Sequence, residues 1–400
     1  MEPKSQAQVL VVGAGPVGLL AALRLRQRGL DVTVIDQNER SSLKGFAVVL
    51  HPRTLAMLSN LGLFEPFVWQ GRSFKRIVIF SEGERRAILD IPADGELSGG
   101  GMTLPQNALR NALELKLQEQ GVHVEYLHRL ASITEDGSRV RAELKRREPV
   151  SAPRSSSGRF EWREVETLKL AADFVIGADG HESTVRKTLG IGLRPVAPPQ
   201  IFGFFDVPHE PPAGQSLELV LGHETSAMYP LHGGTTRYSF ELSALPAAPL
   251  DADKLRELRF ARMPWHAAEH ESVEWTGVHT FERAFAERFG QGRVWLAGDA
   301  AHTTTPLGSQ SLNVGLREGR ELANAIADSM EAADVRHLVT AYDDQRQLEW
   351  HTLLSLAGKP SLSPSTPTWA KQHMRDLVAS LPASGDDLDD CLAQLGVKLL

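Results

Sequence analysis

The run Gly13-Ala14-Gly15-Pro16-Val17-Gly18 follows the apolar, β-branched stretch Val9-Leu10-Val11-Val12 and precedes Leu19 to Arg28, which places Leu19, Ala22, Leu23 and Leu25 on one helical face. A glycine-rich turn between a buried strand and a helix commits the chain to a βαβ unit and a parallel sheet. Gly13 permits the tight turn, Gly15 lets the backbone approach a pyrophosphate, and Gly18 lets the helix pack closely on the strand. Unpaired N–H groups at the helix start then face phosphate. A second strand, Asp31 to Ile35, ends at Asp36, eighteen residues after Gly18. Its carboxylate is placed to accept from a ribose 2′-hydroxyl, which favours the adenosine of FAD or NAD over a 2′-phosphate. Gly13, Gly15, Pro16, Val17, Gly18 and Asp36 are therefore the first candidate cofactor residues.

Two further glycine-aspartate signatures extend that reading. Leu168 to Ile176 has the composition of a buried strand and leads into Gly177-Ala178-Asp179-Gly180; Val294 to Leu296 leads into Gly298-Asp299-Ala300-Ala301-His302. The first signature needs only a dinucleotide. The third brings a distant part of the chain back to the same ligand, and the set together indicates a flavin. An aspartate beside a glycine at a strand end can accept from ribityl hydroxyls without a bulky Cβ in the way. Pro306, Gly308, Ser309 and Ser311 then precede a helix from Leu312 to Met330, whose positive end and free N–H groups suit charge developing on a flavin.

The 400 residues, 42% hydrophobic and 23% charged, suffice for two domains of ordinary soluble composition. The net charge of -7 argues against nucleic acid as a partner. Cys391 is the one cysteine, so no internal disulfide can form, and a reducing cytoplasm fits. The apolar start is broken by glycines and Pro16, and is read neither as a targeting segment nor as a membrane span.

Along the chain, Arg53 to Leu61 is expected to be helical, and Arg76 to Phe80 with Arg86 to Ile91 to pair about Glu82-Gly83-Glu84. A helix is expected from Asn107 to Gln120, ended by Gly121, and then a strand from Val122 to Tyr126. Residues 148–159, rich in proline and serine, suggest a long exposed hairpin loop. Ile201 to Val207, Leu217 to Leu221, Ala227 to Leu231 and Arg237 to Leu242 suggest an antiparallel sheet. Helical patterning from Trp369 follows a proline-bearing stretch and reads as an accessory C-terminal segment.

In the order of these three motifs, from about Val9 to Asp344, the chain resembles the class A flavoprotein monooxygenases, typified by para-hydroxybenzoate hydroxylase and the aromatic polyketide hydroxylases. The resemblance implies an α/β fold in which a Rossmann-like FAD-binding domain is interleaved with a smaller antiparallel β-sheet substrate domain, with C-terminal helices added. Expected boundaries are 1–75, 98–194 and 282–345 for the FAD domain, 76–97 and 195–281 for the substrate domain, and 346–400 for the C-terminal segment. Asp179, Gly180 and Arg186 match the element that serves the FAD pyrophosphate and NAD(P)H. Gly298 and Asp299 match the element whose aspartate binds the ribityl chain, followed in family spacing by His302, Pro306, Gly308 and Asn313. Gln106, in Leu104-Pro105-Gln106, is similar to a flavin-contacting position. Pro306, Gly308, Leu312 and Asn313 form the expected flavin-proximal catalytic loop, with Ser311 a further cofactor contact. No acid-base residue and no metal ligand is assigned.

Departures from the family pattern are equally specific. Gly308-Ser309-Gln310-Ser311 stands where the family has Gly-Gly-Gln-Gly; Gly45-Phe46-Ala47 lacks an arginine before the alanine; Glu318 replaces an aspartate. The two serines are expected to narrow the space around the flavin ring, provided that neither adopts φ > 0. His266-Ala267-Ala268-Glu269-His270 matches an inverted zinc-protease pattern but is read as a solvated helix face, as is the Arg/Glu alternation from Arg283 to Arg288. His51 and His232 are read as structural, and Met228-Tyr229-Pro230-Leu231 as core or as cavity wall.

By this resemblance NADPH or NADH reduces FAD in a transient encounter, since no second Gly-x-Gly-x-x-Gly turn exists. O2 then adds at C4a, and the hydroperoxide passes one oxygen atom to an aromatic or polycyclic small molecule. A flavin reductase or halogenase-like enzyme, a non-oxygenating flavoprotein and a plain NAD dehydrogenase stay open as alternatives. The halogenase lacks its Trp-x-Trp-x-x-Pro motif, and the dehydrogenase leaves Asp299 unexplained. The sequence sets no oligomeric state.

Overall fold

The computed structural model describes residues 6–39, 47–91, 100–150, 161–209, 216–266, 272–331, 335–354 and 361–399. Its first sheet carries five parallel strands in the order Val294–Leu296, Glu161–Gly177, Gln6–Val12, Val32–Asp36 and Val124–Tyr126. Gly290–Gln291 closes one edge, and Val140–Val150 with His128–Glu135 extends the long strand as an antiparallel ribbon. The central strands read as nearly continuous apolar runs, Val9 to Val12 and Val32 to Ile35, because they are buried along both faces.

From the central strand Gln6–Val12 the chain moves to one side, into Val32–Asp36, and returns much later on the other side as Glu161–Gly177. The crevice at such a reversal, beyond the carboxyl ends of the strands, is where open α/β sheets take ligands. Here the two sides touch. A Cβ on Gly13, whose φ is +106°, would lie 2.2 Å from the Ala178 carbonyl oxygen. Helix Pro16–Gln27 starts at this point with proline in its first turn and no acidic residue there. A Cβ on Gly18 would lie 2.0 Å from the Gly13 carbonyl oxygen, so any side chain would push the helix off the turn.

A second, eight-stranded sheet runs in the order His302–Thr303, Trp275–Ala286, Leu193–Val207, Thr236–Leu242, Ser226–Pro230, Ser216–Leu221, Arg76–Ser81 and Glu84–Asp90. All its pairs are antiparallel except Ser216–Leu221 with Arg76–Ser81. Helix Ala252–Arg262 covers one face, closing a separate apolar cluster that contains Phe205, Met228, Tyr238 and Phe240. A third, three-stranded sheet, Ala47–Leu50, Gly101–Pro105 and Arg72–Phe74, lies beside helix Gln106–Glu119.

Strands Leu193–Val207 and Trp275–Ala286 of the second sheet run across the limits expected at 195 and 281. The limit expected at 345 falls inside helix Val335–Leu353; there is no break there, because that helix packs on Gln310–Glu331. The C-terminal helices Thr368–Gln372, Met374–Ser380 and Asp386–Ala393 share the main core through Leu377, Leu388, Cys391 and Leu392. They are part of the fold. Burial pushes the Cys391 thiol up to about 12, which leaves it an inert core residue.

Two solvated-face readings need correction. His266 ends a 3-10 turn, Pro264–His266, and is buried against Glu218 at 2.8 Å, because the turn folds back under the second sheet; positions 267–270 lie outside the described residues. Arg283 to Ala286 belong to a strand, with Ala284, Phe285 and Ala286 buried and only Glu287 and Arg288 exposed beyond its end. Of the hairpin loop expected over residues 148–159, Glu148, Pro149 and Val150 belong instead to the strand Val140–Val150, paired with Arg163, Trp162 and Glu161, and residues 151–159 lie outside the described residues. Phe46 also lies outside them. Among the described residues no helix is long and apolar enough to cross a membrane, and no group of three or more side chains could hold a metal.

Candidate active site

A continuous cavity of about 730 Å³ runs from the carboxyl ends of the parallel strands to the face of the antiparallel sheet. Gly13, Gly15, Pro16 and Val17 form its floor at the first turn. Gly15 opens on free space, with nothing within 4 Å of where a Cβ would stand. Asp36 reaches the wall beside it, its two carboxylate oxygens accepting from Ala14 N–H and Asn38 N–H at 2.8 Å each. That ties the end of the second strand to the glycine turn.

Asp179 and Gly180 face the cavity across the switch point. The Asp179 carboxylate accepts from Ser183 Oγ (2.5 Å), Thr184 N–H (2.7 Å) and Val185 N–H (3.1 Å), and so caps the short helix Thr184–Thr188. Burial raises its pKa, against the pull of those donors. Arg186 does not line the cavity. It is buried and donates to the Ala300 carbonyl (2.8 Å) and the His181 carbonyl (2.7 Å), lashing the second signature to the third.

Asp299 is exposed to the cavity, and Pro306, Ser311, Leu312 and Gln106 share the same wall. Gly298, Gly308 and Asn313 stand behind it. Asn313 accepts from His51 N–H (2.9 Å) and donates to the carbonyls of Val49 and Ser309, at 2.8 Å each, clamping the loop to the three-stranded sheet. A Cβ on Gly308 would sit 2.7 Å from the Ala379 carbonyl and 2.9 Å from that of Leu381. The loop therefore leans on the C-terminal helices, as does Gln310, whose amide donates to the Val378 carbonyl at 2.6 Å.

The expected geometry of the two serines changes in part. Ser309 has φ +47°, the left-handed region that glycine adopts freely. Its Oγ accepts from Val49 N–H at 3.3 Å. Ser311 Oγ donates to Asp299 at 2.7 Å and lies 3.2 Å from His302 Nδ1. Both hydroxyls are engaged with the protein.

His51 is buried, with Nε2 2.9 Å from the Gly308 carbonyl and Nδ1 3.1 Å from Ser384 Oγ. Burial pulls its pKa down to about 3, so the ring is neutral and serves the loop rather than the cavity. His232 is exposed and does not line the cavity.

The antiparallel sheet supplies the far wall through Phe204, Tyr229, His279 and Phe281. Phe204 and Phe281 meet edge to face at 6.1 Å. Tyr229 and Leu231 point to the cavity whereas Met228 enters the opposite cluster, the alternation a strand imposes. Arg237 also reaches the wall, bound to both Asp206 oxygens at 2.7 Å. No motif announced Phe204, Arg237, His279 or Phe281. The sequence marked Ile201 to Val207 only as a strand of an antiparallel sheet.

A family description, "FAD binding domain", matches residues 6–355. Rifampicin monooxygenase of Rhodococcus hoagii is 26% identical over 352 residues, covering 85% of this chain and 68% of the relative. For 6-methylpretetramide 4-monooxygenase of Streptomyces rimosus the identity is 28% over 355 residues, with 86% of this chain and 60% of the relative covered. The crystal structure of p-nitrophenol 4-monooxygenase from Pseudomonas putida DLL-E4 shares the fold, with a TM-score of 0.72 at 23% identity over 98% of this chain and 97% of that one. With the motifs, the fold and the family match in agreement, the chain belongs to the FAD binding domain family, as a class A flavoprotein monooxygenase with FAD as its cofactor.

Proposed function

We propose that the protein uses NAD(P)H and O2 to place one oxygen atom in an aromatic or polycyclic small molecule. The observation that carries the reading is the continuity of one cavity from Gly15 and Asp299 to the aromatic wall of Phe204, Tyr229 and Phe281. Gly13 to Val17 would take the pyrophosphate, Asp36 the ribose, Asp299 the ribityl chain, and Gln106 with the Pro306 to Leu312 stretch the ring. The residues fit that group. Gly15 leaves room for a phosphate where a side chain would stand, and an exposed carboxylate at Asp299 meets hydroxyls rather than phosphate.

Bound there, FAD would supply two-electron reduction by the nicotinamide and activation of O2 at the C4a position, one oxygen going to the substrate and the other leaving as water. The chain contributes position and exclusion of water. N–H groups at the start of helix Gln310–Glu331 favour negative charge at the ring. The apolar wall selects a flat, electron-rich substrate. The relatives' names carry rifampicin and 6-methylpretetramide, which supports a polycyclic product of secondary metabolism. The substrate domain is assigned to about residues 76–97 and 195–281, and the FAD domain to the remainder up to about 345.

The test is direct. Asp299→Ala should lower FAD affinity about 10- to 150-fold, the loss of one charge-assisted hydrogen bond of about 1.5–3 kcal/mol. Unchanged flavin content in that variant would remove the ribityl assignment. In the wild type, a panel of polycyclic phenols should include one that accelerates NAD(P)H oxidation and gains a single ¹⁸O from ¹⁸O2. Oxidation without ¹⁸O incorporation across the panel would favour a non-oxygenating flavoprotein.

A further inference from the structure

A cationic side chain, Arg237, stands in the aromatic wall of the cavity, and its neighbours fix where it points. Antiparallel pairing sets Tyr229, Arg237, Asp206 and Trp275 side by side in one row across four strands of the second sheet. Tyr229 ties one end of that row to the Pro306 to Leu312 stretch, its hydroxyl donating to the Leu307 carbonyl at 2.9 Å. From the other end, Asp206 accepts from Nε and Nη2 of Arg237 at 2.7 Å each, and the guanidinium carbon lies over the Trp275 ring, 5.0 Å from its centre. The guanidinium is thereby drawn away from the Pro306 to Leu312 stretch, toward the far side of the wall.

These contacts engage two of the three guanidinium nitrogens. Nη1 has no partner among the described residues and is not sealed into the core, although Arg237 as a whole is buried and lines the cavity. A guanidinium keeps its charge throughout the working pH range, so Nη1 can only donate. A buried ion pair is not by itself a strong brace, since apolar residues of similar volume often do as well or better. What the pair adds here is a donor held at a fixed place in an apolar wall.

The surrounding charge decides what that donor meets. Asp206 already matches the charge of Arg237, and the other guanidinium lining the cavity, that of Arg129, is paired with Glu164. The carboxylates of Asp36, Asp179, Asp299 and Glu282 line the same cavity. An acidic substrate would bring a further negative charge to an apolar wall whose cation is already matched, at a desolvation cost that one more hydrogen bond does not offset. A neutral acceptor oxygen carries no such cost.

We infer that Arg237 is the polar anchor of the substrate, its Nη1 donating to a carbonyl or phenolic oxygen of an uncharged aromatic molecule. The rings of that molecule lie along Phe204 and Tyr229, between the anchor and the Pro306 to Leu312 stretch. Asp206 and Trp275 are positioning residues that hold the guanidinium in place. The span from the anchored oxygen then selects which ring carbon faces the flavin. The inference rests on the reading of the aromatic wall as the substrate site.

The experiment compares three flat probes of similar size, naphthalene, 2-naphthol and 2-naphthoate. Each is titrated at pH 7 into the FAD-bound protein without NAD(P)H, and binding is followed by the perturbation of flavin absorbance. In the wild type 2-naphthol should bind most tightly and 2-naphthoate least. Arg237→Met/Asp206→Leu replaces the ion pair by apolar side chains, and Arg237→Lys keeps a link to Asp206 but gives up the second arm of the fork. In both variants FAD should stay bound, and the ratio of 2-naphthol to naphthalene affinity should fall about 10-fold, the effect of one hydrogen bond to a charged group. A residue that only braces the sheet would weaken both probes alike and leave the ratio where it was. An unchanged ratio in both variants, or tighter wild-type binding of 2-naphthoate than of 2-naphthol, would overturn the anchor. Failure of all three probes to bind a wild type that holds FAD would instead remove the reading of the aromatic wall as the substrate site, and the anchor with it.

Discussion

Two turns deliver a helix start to the same cavity, Gly13 to Gly18 and Pro306 to Ser311, and they are held in opposite ways. The first is fixed by backbone and by immediate neighbours. Gly13 N–H donates to the Ile35 carbonyl, Ala178 N–H to the Val12 carbonyl and Ala14 N–H to Asp36, each at 2.8 Å. The second is fixed by side chains that arrive from elsewhere. His51 meets the Gly308 carbonyl, Asn313 donates to the Ser309 carbonyl, and Gln310 and Gly308 rest on carbonyls near the end of helix Met374–Ser380. A turn made by parallel strands and glycine carries its own specification. A turn made by packing borrows it from the far end of the chain.

The largest expected effect breaks the first turn. Gly18→Ala places a methyl 2.0 Å from a backbone oxygen that cannot move without shifting the central strand. We expect a loss of at least about 3 kcal/mol in urea unfolding, together with loss of bound FAD. Gly15→Ala is the internal contrast. Open space at Gly15 predicts near-normal stability but weakened FAD binding, since the methyl points to where a phosphate would lie. Equal stability of the two variants would mean that the first turn is not rigid.

The second turn should fail with acid. His51 is neutral in the folded state, its pKa drawn down to about 3, whereas an unfolded histidine titrates near about 6.5. The unfolded chain therefore takes up a proton that the folded one refuses. Stability from this group is complete above about pH 6.5 and declines as pH falls toward 3, with a slope of at most about 1.4 kcal/mol per pH unit. His51→Gln removes the titrating group and should flatten that part of the profile while lowering stability at pH 7. An unchanged slope in the variant would assign the acid sensitivity to another group.

The same contrast explains what the sequence made legible. Val9 to Val12, Leu168 to Ile176 and Val294 to Leu296 are largely apolar runs that lead into glycine turns, the last two bearing an aspartate, and the three meet at the switch point because their strands pair in parallel. The FAD fold could be read from them. Arg186 illustrates the limit, since motif spacing places it in a cofactor element but not on either side of the backbone, and it faces the core. His266 and Glu218 are far apart in sequence, so their contact had no local signal and the motif around His266 suggested an exposed helix. The serine hydroxyls likewise found protein partners that spacing alone does not name.

The smallest expected effect concerns Ser309, the place where the second turn departs most from the economy of the first. Its φ of +47° costs a residue with a Cβ about 1–2 kcal/mol, and its contacts in return are long, 3.3 Å from Val49 N–H and 3.4 Å to the Pro306 carbonyl. Ser309→Gly relieves the strain, gives up those weak contacts and adds about 0.5–1 kcal/mol of unfolded-state freedom, so the net gain should be about 0.5 kcal/mol. Ser309→Ala removes the hydroxyl but keeps the strain, and should lose stability. Thermal melts of the pair should therefore move in opposite directions from the wild type. If both variants lose stability by similar amounts, the hydroxyl rather than the backbone holds this corner, and the two turns differ less than their geometry suggests.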